Sequence, residues 1–533
     1  MVDRSNLLPQ RLQELAERTP DALAMVDVGG RRRSYRELHE QVTRWARGYA
    51  RLGVVAGDMV FTMVPNSFEC YDVWLGVAWL RAIEVPVNTM YRGHMLAYAL
   101  NDSEAKVAVI SERYLDRLEQ VAGELVHLKR LIVPDASGPL PDLPFDIQTG
   151  EEFLREGDAI DLGDGPGDYD IAAMIYTSGT TGPSKGVLVP WAELYQFVVS
   201  LNPADSLAPG RGYYSTFPAC HVGGKSMLYF TGDRQAYLVI RETFSVTEFW
   251  NDIREYDCQA AGILGPVAAL LMLAPPEPDD AQTPLESVFM GPLISDVEEF
   301  KSRFGVRVGT GYGMTEVGVP LTSDAFNLAN GRSCGRVRTG PPGYEVRIVN
   351  EHDEPVPVGT VGEFIVRSAE PWVINAGYWK MPEKTAAAWR NGWFHTGDAF
   401  REDEDGNFYF VDRMKDALRR RGENISSFEV EAGVNSHPAV QESAVIGVPS
   451  DLGEEDVKAI VVLLPSQTLE PRELIEFLIP RMPRFMIPRY IEIAEALPKT
   501  DVTFRTQKVK LRENALNEQT WDREKAGISL PRD

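Results

Sequence analysis

The sequence predicts an α/β protein: a large N-terminal domain of layered sheets and helices, a small β barrel, and a small α+β domain at the C-terminus. Three observations carry this. At 533 residues the chain exceeds what one hydrophobic core supports, so two or more domains are expected. Through roughly the first three hundred residues helical and strand-like segments alternate, as in a largely parallel sheet covered by helices. From about Gly340 short alternating strands take over, cut by Gly, Pro and Asp turns, as in a small barrel or sheet.

The elements follow in order. "SYRELHEQVTRWARGYARLGV" spaces its apolar residues as a helix does, "GDMVFTMVP" reads as a strand, and a second helix begins at Phe68. Ile171–Tyr176, "IAAMIY", is a short apolar run that reads as a buried strand, with the loop "GDGPGDYD" before it. "APPEPDDAQTP" is a surface loop by composition. "YEVRIVN", "GEFIVRS" and "GNFYFVD" are the alternating strands of the barrel. "VQESAVIGVPS", "VKAIVVLLP" and the helix "PRELIEFLIPRMP" make a βαβ-like tail, and a domain boundary is expected near Lys415, giving domains 1–414 and 415–533.

Composition excludes several classes. A net charge of −24, from 54 basic and 78 acidic residues, argues against nucleic acid or an anionic membrane as partner. No apolar signal segment opens the chain, and the apolar run Val73–Leu80 is cut off by Arg81 and Glu84, well short of a span. Cys70, Cys220, Cys258 and Cys334 lack metal spacing, as expected of reduced cytoplasmic thiols. The seven histidines form no zinc-type pair. A cytoplasmic multi-domain protein without membrane insertion is expected.

The most informative stretch is "YTSGTTGPSKG", Tyr176–Gly186. Glycines let backbone N–H groups approach a ligand, the hydroxyls add donors, and Lys185 adds a mobile charge suited to phosphate. The P-loop pattern of nucleotide triphosphatases does not fit, because Lys185 follows Ser184 and precedes Gly186. A solvated linker is the plain alternative. The buried strand just upstream favours a phosphate cradle. Further along, "GYGMTE" carries Glu316, a candidate metal ligand, although a Gly-flanked Tyr and a Glu also suit a turn with a solvated charge. "GWFHTGD" carries Asp398, which could accept from vicinal hydroxyls as carboxylates do with ribose. "VDRMKD" supplies Arg413 and Lys415, and "RRRGENIS" supplies Gly422.

In this order and at these separations the motifs resemble the ANL adenylate-forming superfamily of acyl-CoA synthetases, peptide-synthetase adenylation domains and luciferases. "PACHVGGKS", "RFGVRVGTGYGMTE" and "FYFVDRMKDALRRRGENIS" look most like its crotonobetaine/carnitine-CoA ligase-like branch. The resemblance implies a mobile C-terminal domain that rotates about a hinge at Lys415. It implies an AMP-forming ligase that joins a small organic or aromatic acid to the α-phosphate of ATP, releases pyrophosphate, and passes the acyl group to a nucleophile, usually CoA. By position, Thr177, Ser178, Gly179, Thr180, Thr181, Gly182 and Lys185 would cradle the β/γ-phosphates. Tyr312, between Gly311 and Gly313, would stack on adenine; Thr315 would touch the α-phosphate, and Glu316 would hold Mg²⁺. Asp398 and Arg413 would bind the ribose. His221, Gly223 and Gly224 would line the acid pocket with the stretches around Gly265 and Gly291. Gly422 lies where relatives swing a loop toward the pantetheine of CoA. A homodimer is an open assembly state.

Two departures stand out. The family pattern near the C-terminus, P-K-T-x-x-G-K, places a lysine in the site during adenylation; here the text is "LPKTDVTFRTQKVKLR". With one inserted residue Arg505 faces the lysine column and Phe504 replaces the glycine, while Lys508 lies three residues on. Three readings stay open: Arg505 or Lys508 takes the role, the reaction manages without it, or the chain is a degenerate, non-catalytic nucleotide binder. Lys225 in "HVGGKS" is the second departure, read either as an exposed lysine or as a pocket cation that attracts a second anionic group. An amine acceptor, in an amide-bond synthetase or a nitrite-activating diazotase of an aryl amine, is the rival to CoA.

Overall fold

The computed structural model describes the chain apart from residues 1, 156–159, 178–183, 202–204, 324, 339, 341–342, 414–417, 421–422, 426, 450–454, 483, 500–505 and 531–533. The chain divides into two compact units: Met1–Val346 with Val366–Phe394 and Asp405–Phe408, and Arg347–Ile365 with His395–Glu404 and Tyr409–Asp533. The expected boundary at Lys415 lies outside the described residues.

The first unit holds two seven-stranded sheets, each parallel except for one edge strand. In one, the strands run in the order Arg307–Gly309, Ser287–Gly291, Cys258–Leu264, Gly212–Ser215, Tyr237–Ile240 and Leu23–Asp27, with Arg32–Ser34 antiparallel at the edge. In the other the order is Asp146–Thr149, Arg130–Val133, Val107–Ile110, Met59–Met63, Ile83–Pro86 and Ile171–Thr177, ended by antiparallel Lys185–Pro190. Both apolar runs read as strands form as expected: Met59–Met63 is buried throughout, and Ile171–Thr177 is buried except at its ends.

Helix Tyr35–Arg51 begins where the sequence stops it from beginning earlier. Ser34 accepts from the Glu37 N–H while the Glu37 carboxylate accepts from the Ser34 N–H, a reciprocal cap. Helix Phe68–Trp79, which contains most of the tempting apolar run, is buried along almost its whole length in the core. Trp74 on it stacks on Trp191 at the start of helix Trp191–Leu201, with ring centroids 5.4 Å apart and planes within 10°. Among the described residues no helix is long and apolar enough to cross a membrane.

The expected barrel is an open five-stranded sheet, half of a barrel. Its order is Tyr344–Val349, Gly362–Ser368, Trp393–Glu402 and Trp389–Arg390, with Phe408–Arg413 also on Trp393–Glu402. The C-terminal tail is a four-stranded sheet in which Val440–Pro449 pairs antiparallel with Glu455–Leu463, and Tyr490–Ile493 lies parallel beside the latter. Helix Pro471–Leu478 buries Leu474, Ile475 and Leu478, the stripe that "PRELIEFL" predicts.

Candidate functional site

Parallel strands expose loops at their carboxyl ends, where open α/β sheets bind ligands. The sequence-derived pocket residues collect there. Gly265 and Gly291 end or follow the adjacent strands Cys258–Leu264 and Ser287–Gly291, with Leu264 in register with Gly291. A Cβ at Gly265 would lie 2.7 Å from the Pro292 carbonyl oxygen, so the two loops touch only because this residue is glycine. His221, Gly223 and Gly224 follow the next strand, Gly212–Ser215, at the start of helix Val222–Arg234. A Cβ at Gly224 would overlap the Pro218 carbonyl oxygen. Gly311–Glu316 follow the edge strand Arg307–Gly309.

Gly311–Met314 and Gly318–Thr322 form an antiparallel hairpin, with Tyr312 opposite Leu321. A Cβ at Gly311 would lie 2.7 Å from the Leu321 oxygen, and one at Gly313 would lie 2.5 Å from the Gly318 oxygen. The turn residue Glu316 is 5% exposed, so the plain reading of a solvated turn charge is corrected: the strands bury it. Tyr312 and Thr315 are half-buried on the same hairpin. Thr310, just before it, lines a cavity of about 250 Å³ with Ser323, Asn327, Arg336 and Asn407, which sets hydrogen-bonding groups beside the Gly311–Tyr312 segment.

On the other sheet Thr177 and Lys185, which flank the glycine-rich stretch in sequence, are cross-strand partners. Ser178, Gly179, Thr180, Thr181 and Gly182 lie outside the described residues. The Lys185 ammonium sits 4.3 Å from the centroid of the Tyr378 ring, and the Tyr378 hydroxyl donates to Glu316 Oε1 at 3.3 Å. Asn375 donates to the Glu316 carbonyl from Nδ2 at 2.6 Å and from its backbone N at 3.1 Å. Fully buried Glu193 faces the same carboxylate. Burial first, and the Glu316 charge second, hold its carboxyl well above the usual range, while the Gly318 N–H pulls it down. Sequence reasoning missed Tyr378, Asn375 and Glu193. The only local signal was "NAGYWK", aromatics beside a glycine within a loop.

Lys225 is not exposed, and its charge is met by a carboxylate of the protein. Its side chain is 2% exposed, its ammonium pairs with Glu84 Oε2, and it lies 4.2 Å from the Trp74 ring centroid. Thr62 Oγ1 donates to the other Glu84 oxygen at 2.9 Å. Burial pushes the Glu84 carboxyl up, against the pull of the Lys225 ammonium and the Thr62 hydroxyl. The physical reason is distance along the chain: the pair joins residues 141 apart, which no local pattern reveals. His221, one helical turn before Lys225, has its Nε2 shut off from solvent without a partner among the described residues. Burial, then the Lys225 charge, depress its pKa to about 4, so it is neutral at pH 7.

In the second unit the fold brings Asp398 and Arg413 together. Arg413 Nε lies 2.7 Å from Asp398 Oδ1, and Asp398 is 2% exposed. Asp412, next to Arg413, accepts from the Ser427 N–H at 2.9 Å and from its hydroxyl. Lys508 reaches the same hydroxyl and pairs with Glu431 Oε1 at 2.8 Å. Burial raises the Glu431 carboxyl pKa and Lys508 opposes it. To meet a phosphate, Lys508 must leave this carboxylate. Arg505, Lys415 and Gly422 lie outside the described residues.

Fold and site together define the class of AMP-forming ligases. The AMP-binding enzyme model matches residues 12–379, and the AMP-binding enzyme C-terminal domain model matches residues 429–502. The chain belongs to the AMP-binding enzyme family, that of adenylate-forming acyl-CoA ligases. A crotonobetaine/carnitine-CoA ligase of Shigella dysenteriae serotype 1 (strain Sd197) is 31% identical over 488 residues, covering 90% of this chain and 93% of the relative. The anthranilate CoA ligase AuaEII in complex with anthranoyl-AMP superposes with a TM-score of 0.83 at 24% identity, over 96% of this chain and 97% of that one. The amide bond synthetase McbA from Marinactinospora thermotolerans reaches 0.79 at 22% identity, over 95% and 98% of the two chains. These two likenesses show the fold alone. The relatives named by sequence are CoA ligases, so neither the amine-acceptor reading nor the non-catalytic one gains support.

Proposed function

We propose that this chain adenylates a small organic or aromatic acid with Mg·ATP in the cytoplasm, releases pyrophosphate, and transfers the acyl group to CoA. The observation that carries this is the approach of Lys185 and buried Glu316 to opposite parts of one tyrosine, at a site fed by the carboxyl ends of parallel strands. In-line attack on the α-phosphorus loads charge onto its oxygens and onto the leaving pyrophosphate, and fixed cations and donors are what lower that barrier. Lys185 supplies a charge to the β/γ-phosphates, Thr315 a donor at the α-phosphate, and Tyr312 a face for adenine.

The donor set suits Mg²⁺, which binds through one or two carboxylates plus substrate phosphates. Glu316 offers one carboxylate, and among the described residues no cluster of three ligand side chains would hold a resident ion. When bound, the ion neutralises phosphate charge. Neutral His221 fits an acid pocket better than a second cation does, because it can donate to a substrate without fixing it as an ion pair. Asp398 accepting from ribose hydroxyls, with Arg413 as its partner, anchors the nucleoside away from the reacting phosphorus.

The test is a pyrophosphate-release screen over carboxylic acids with and without CoA, with acyl-CoA formation followed separately. Acid-dependent pyrophosphate release coupled to acyl-CoA formation is expected. Release without CoA consumption for every active acid overturns the acceptor.

A further inference from the structure

We propose that Tyr378 is a positioning residue that holds the phosphate-binding lysine and the metal-binding carboxylate as one unit before nucleotide arrives. This rests on the nucleotide reading of the site.

The geometry is specific to this side chain. Tyr378 is 8% exposed and presents two different surfaces to two charged groups: its ring face to the Lys185 ammonium at 4.3 Å, and its hydroxyl to Glu316 Oε1 at 3.3 Å. A cation over a tyrosine face is attracted by the ring quadrupole, and a hydroxyl donating to a carboxylate is a charge-assisted hydrogen bond. Tyrosine offers both at once. Phenylalanine keeps the first surface and deletes the second.

The backbone around Tyr378 is fixed from both sides. Residues 376–379 run beside strand Lys185–Pro190, with Ala376 N donating to Leu188 O at 2.9 Å, Leu188 N to Gly377 O at 3.0 Å, and Trp379 N to Gly186 O at 2.8 Å. Asn375, which opens this strap, grips the Glu316 carbonyl twice. At its far end Trp379 Nε1 and Lys380 Nζ both donate to the Asp102 carbonyl at 2.9 Å, and the Asp102 carboxylate accepts from Tyr176 at 2.8 Å. The strap therefore ties the strands on either side of the glycine-rich loop to the Glu316 turn. Preorganising charge in this way reduces what must be rearranged when phosphates bind.

The test is calorimetric binding of ATP, with saturating Mg²⁺ and separately in EDTA, to wild type, Tyr378→Phe and Tyr378→Leu, with thermal midpoints measured in parallel. Tyr378→Phe is expected to lose about tenfold in ATP affinity with Mg²⁺, the scale of one hydrogen bond to a charged group, and to match wild type in EDTA. Tyr378→Leu is expected to weaken binding in both conditions, because the ring under Lys185 is gone. A purely structural role would move the thermal midpoint and leave the ratio of the two affinities unchanged. Wild-type Mg²⁺ dependence in Tyr378→Phe, or an equal loss in EDTA, overturns the proposal. Lys185→Ala and Glu316→Gln run alongside. If both bind Mg·ATP as wild type does, the nucleotide site falls and the proposal with it; if they weaken and Tyr378→Phe does not, the positioning role alone falls.

Discussion

Lys185 and Lys225 both lie in glycine-bearing stretches that suit an anionic ligand on paper, and the fold gives them different work. Lys185 begins an edge strand, half-buried, with an aromatic ring beneath its ammonium whose hydroxyl donates to the Glu316 carboxylate. Lys225 is on a core helix with its ammonium directly on Glu84 and the Trp74 face beside it. A ligand phosphate can compete for the first. For the second, leaving Glu84 would strand a buried carboxylate. A lysine in a glycine-rich motif is thus a poor ligand candidate when a buried anion of the protein holds it, as Glu84 holds Lys225.

Breaking the Lys225–Glu84 pair should have the largest effect. Lys225→Ala is expected to destabilise the protein by about 3–5 kcal/mol, the cost of an uncompensated buried charge. The double variant Lys225→Met with Glu84→Leu should recover much of it, as read by denaturant midpoints. A small loss in Lys225→Ala would mean the pair is solvated and would return Lys225 to the list of ligand candidates.

Lys185→Ala and Glu316→Ala sharpen the other side. Each should cost about 2.7–4 kcal/mol of transition-state stabilisation in pyrophosphate release; the denaturant midpoint should hold for half-buried Lys185 and fall for buried Glu316. Unchanged release with the true acid removes both from the nucleotide site.

The missing lysine gives the next step down. Removing whichever of Arg505 and Lys508 reaches the α-phosphate should slow adenylation by on the order of a hundredfold. It should spare transfer from a preformed acyl-adenylate to CoA, a step made in another domain orientation. For Lys508 the held state with Glu431 adds a stability loss as a second signature. Neither single variant nor the double variant slowing adenylation would show that the reaction runs without this cation.

Asp398→Asn should raise the KM for ATP by on the order of tenfold with little change in kcat, since a ribose contact is mostly uniform binding. A large loss of kcat at saturating ATP would place Asp398 in the chemistry.

The last effect is a pH dependence from His221. Its folded pKa of about 4 lies below the ordinary value of 6.5, so the unfolded chain takes up the proton first on acidification. The contribution is present above pH 6.5 and is lost as pH falls to about 4. Urea midpoints measured over that window should fall more steeply for wild type than for His221→Gln. Equal slopes would mean that the imidazole is hydrated.

What the sequence made legible follows from how far each signal reaches along the chain. The helix Tyr35–Arg51 and the strand Ile171–Thr177 were readable because apolar spacing acts over a few residues. The hairpin at Gly311–Thr322 was half readable: its glycines marked the turn, but the burial of Glu316 depends on Tyr378 and Asn375, about sixty residues further on. The exposed reading of Lys225 fails for the same reason, since its partner Glu84 lies 141 residues earlier. Asp398 and Arg413 were placed through resemblance, and their contact at 2.7 Å is what that resemblance could not supply. The strap at 375–380 has neither helical nor strand periodicity, so its letters offered only aromatics beside a glycine.

That strap also bears on how the protein behaves at high concentration. Strand Lys185–Pro190 ends its sheet, and an uncovered sheet edge is a template on which a second chain can pair. Residues 376–379 occupy that template, satisfying the outward-facing groups of Gly186 and Leu188 through three backbone hydrogen bonds. The stretch that fixes the charged groups therefore also works as an edge guard against intermolecular β-pairing, and a proline placed at Ala376, which would delete one of those donors, should show itself first as self-association.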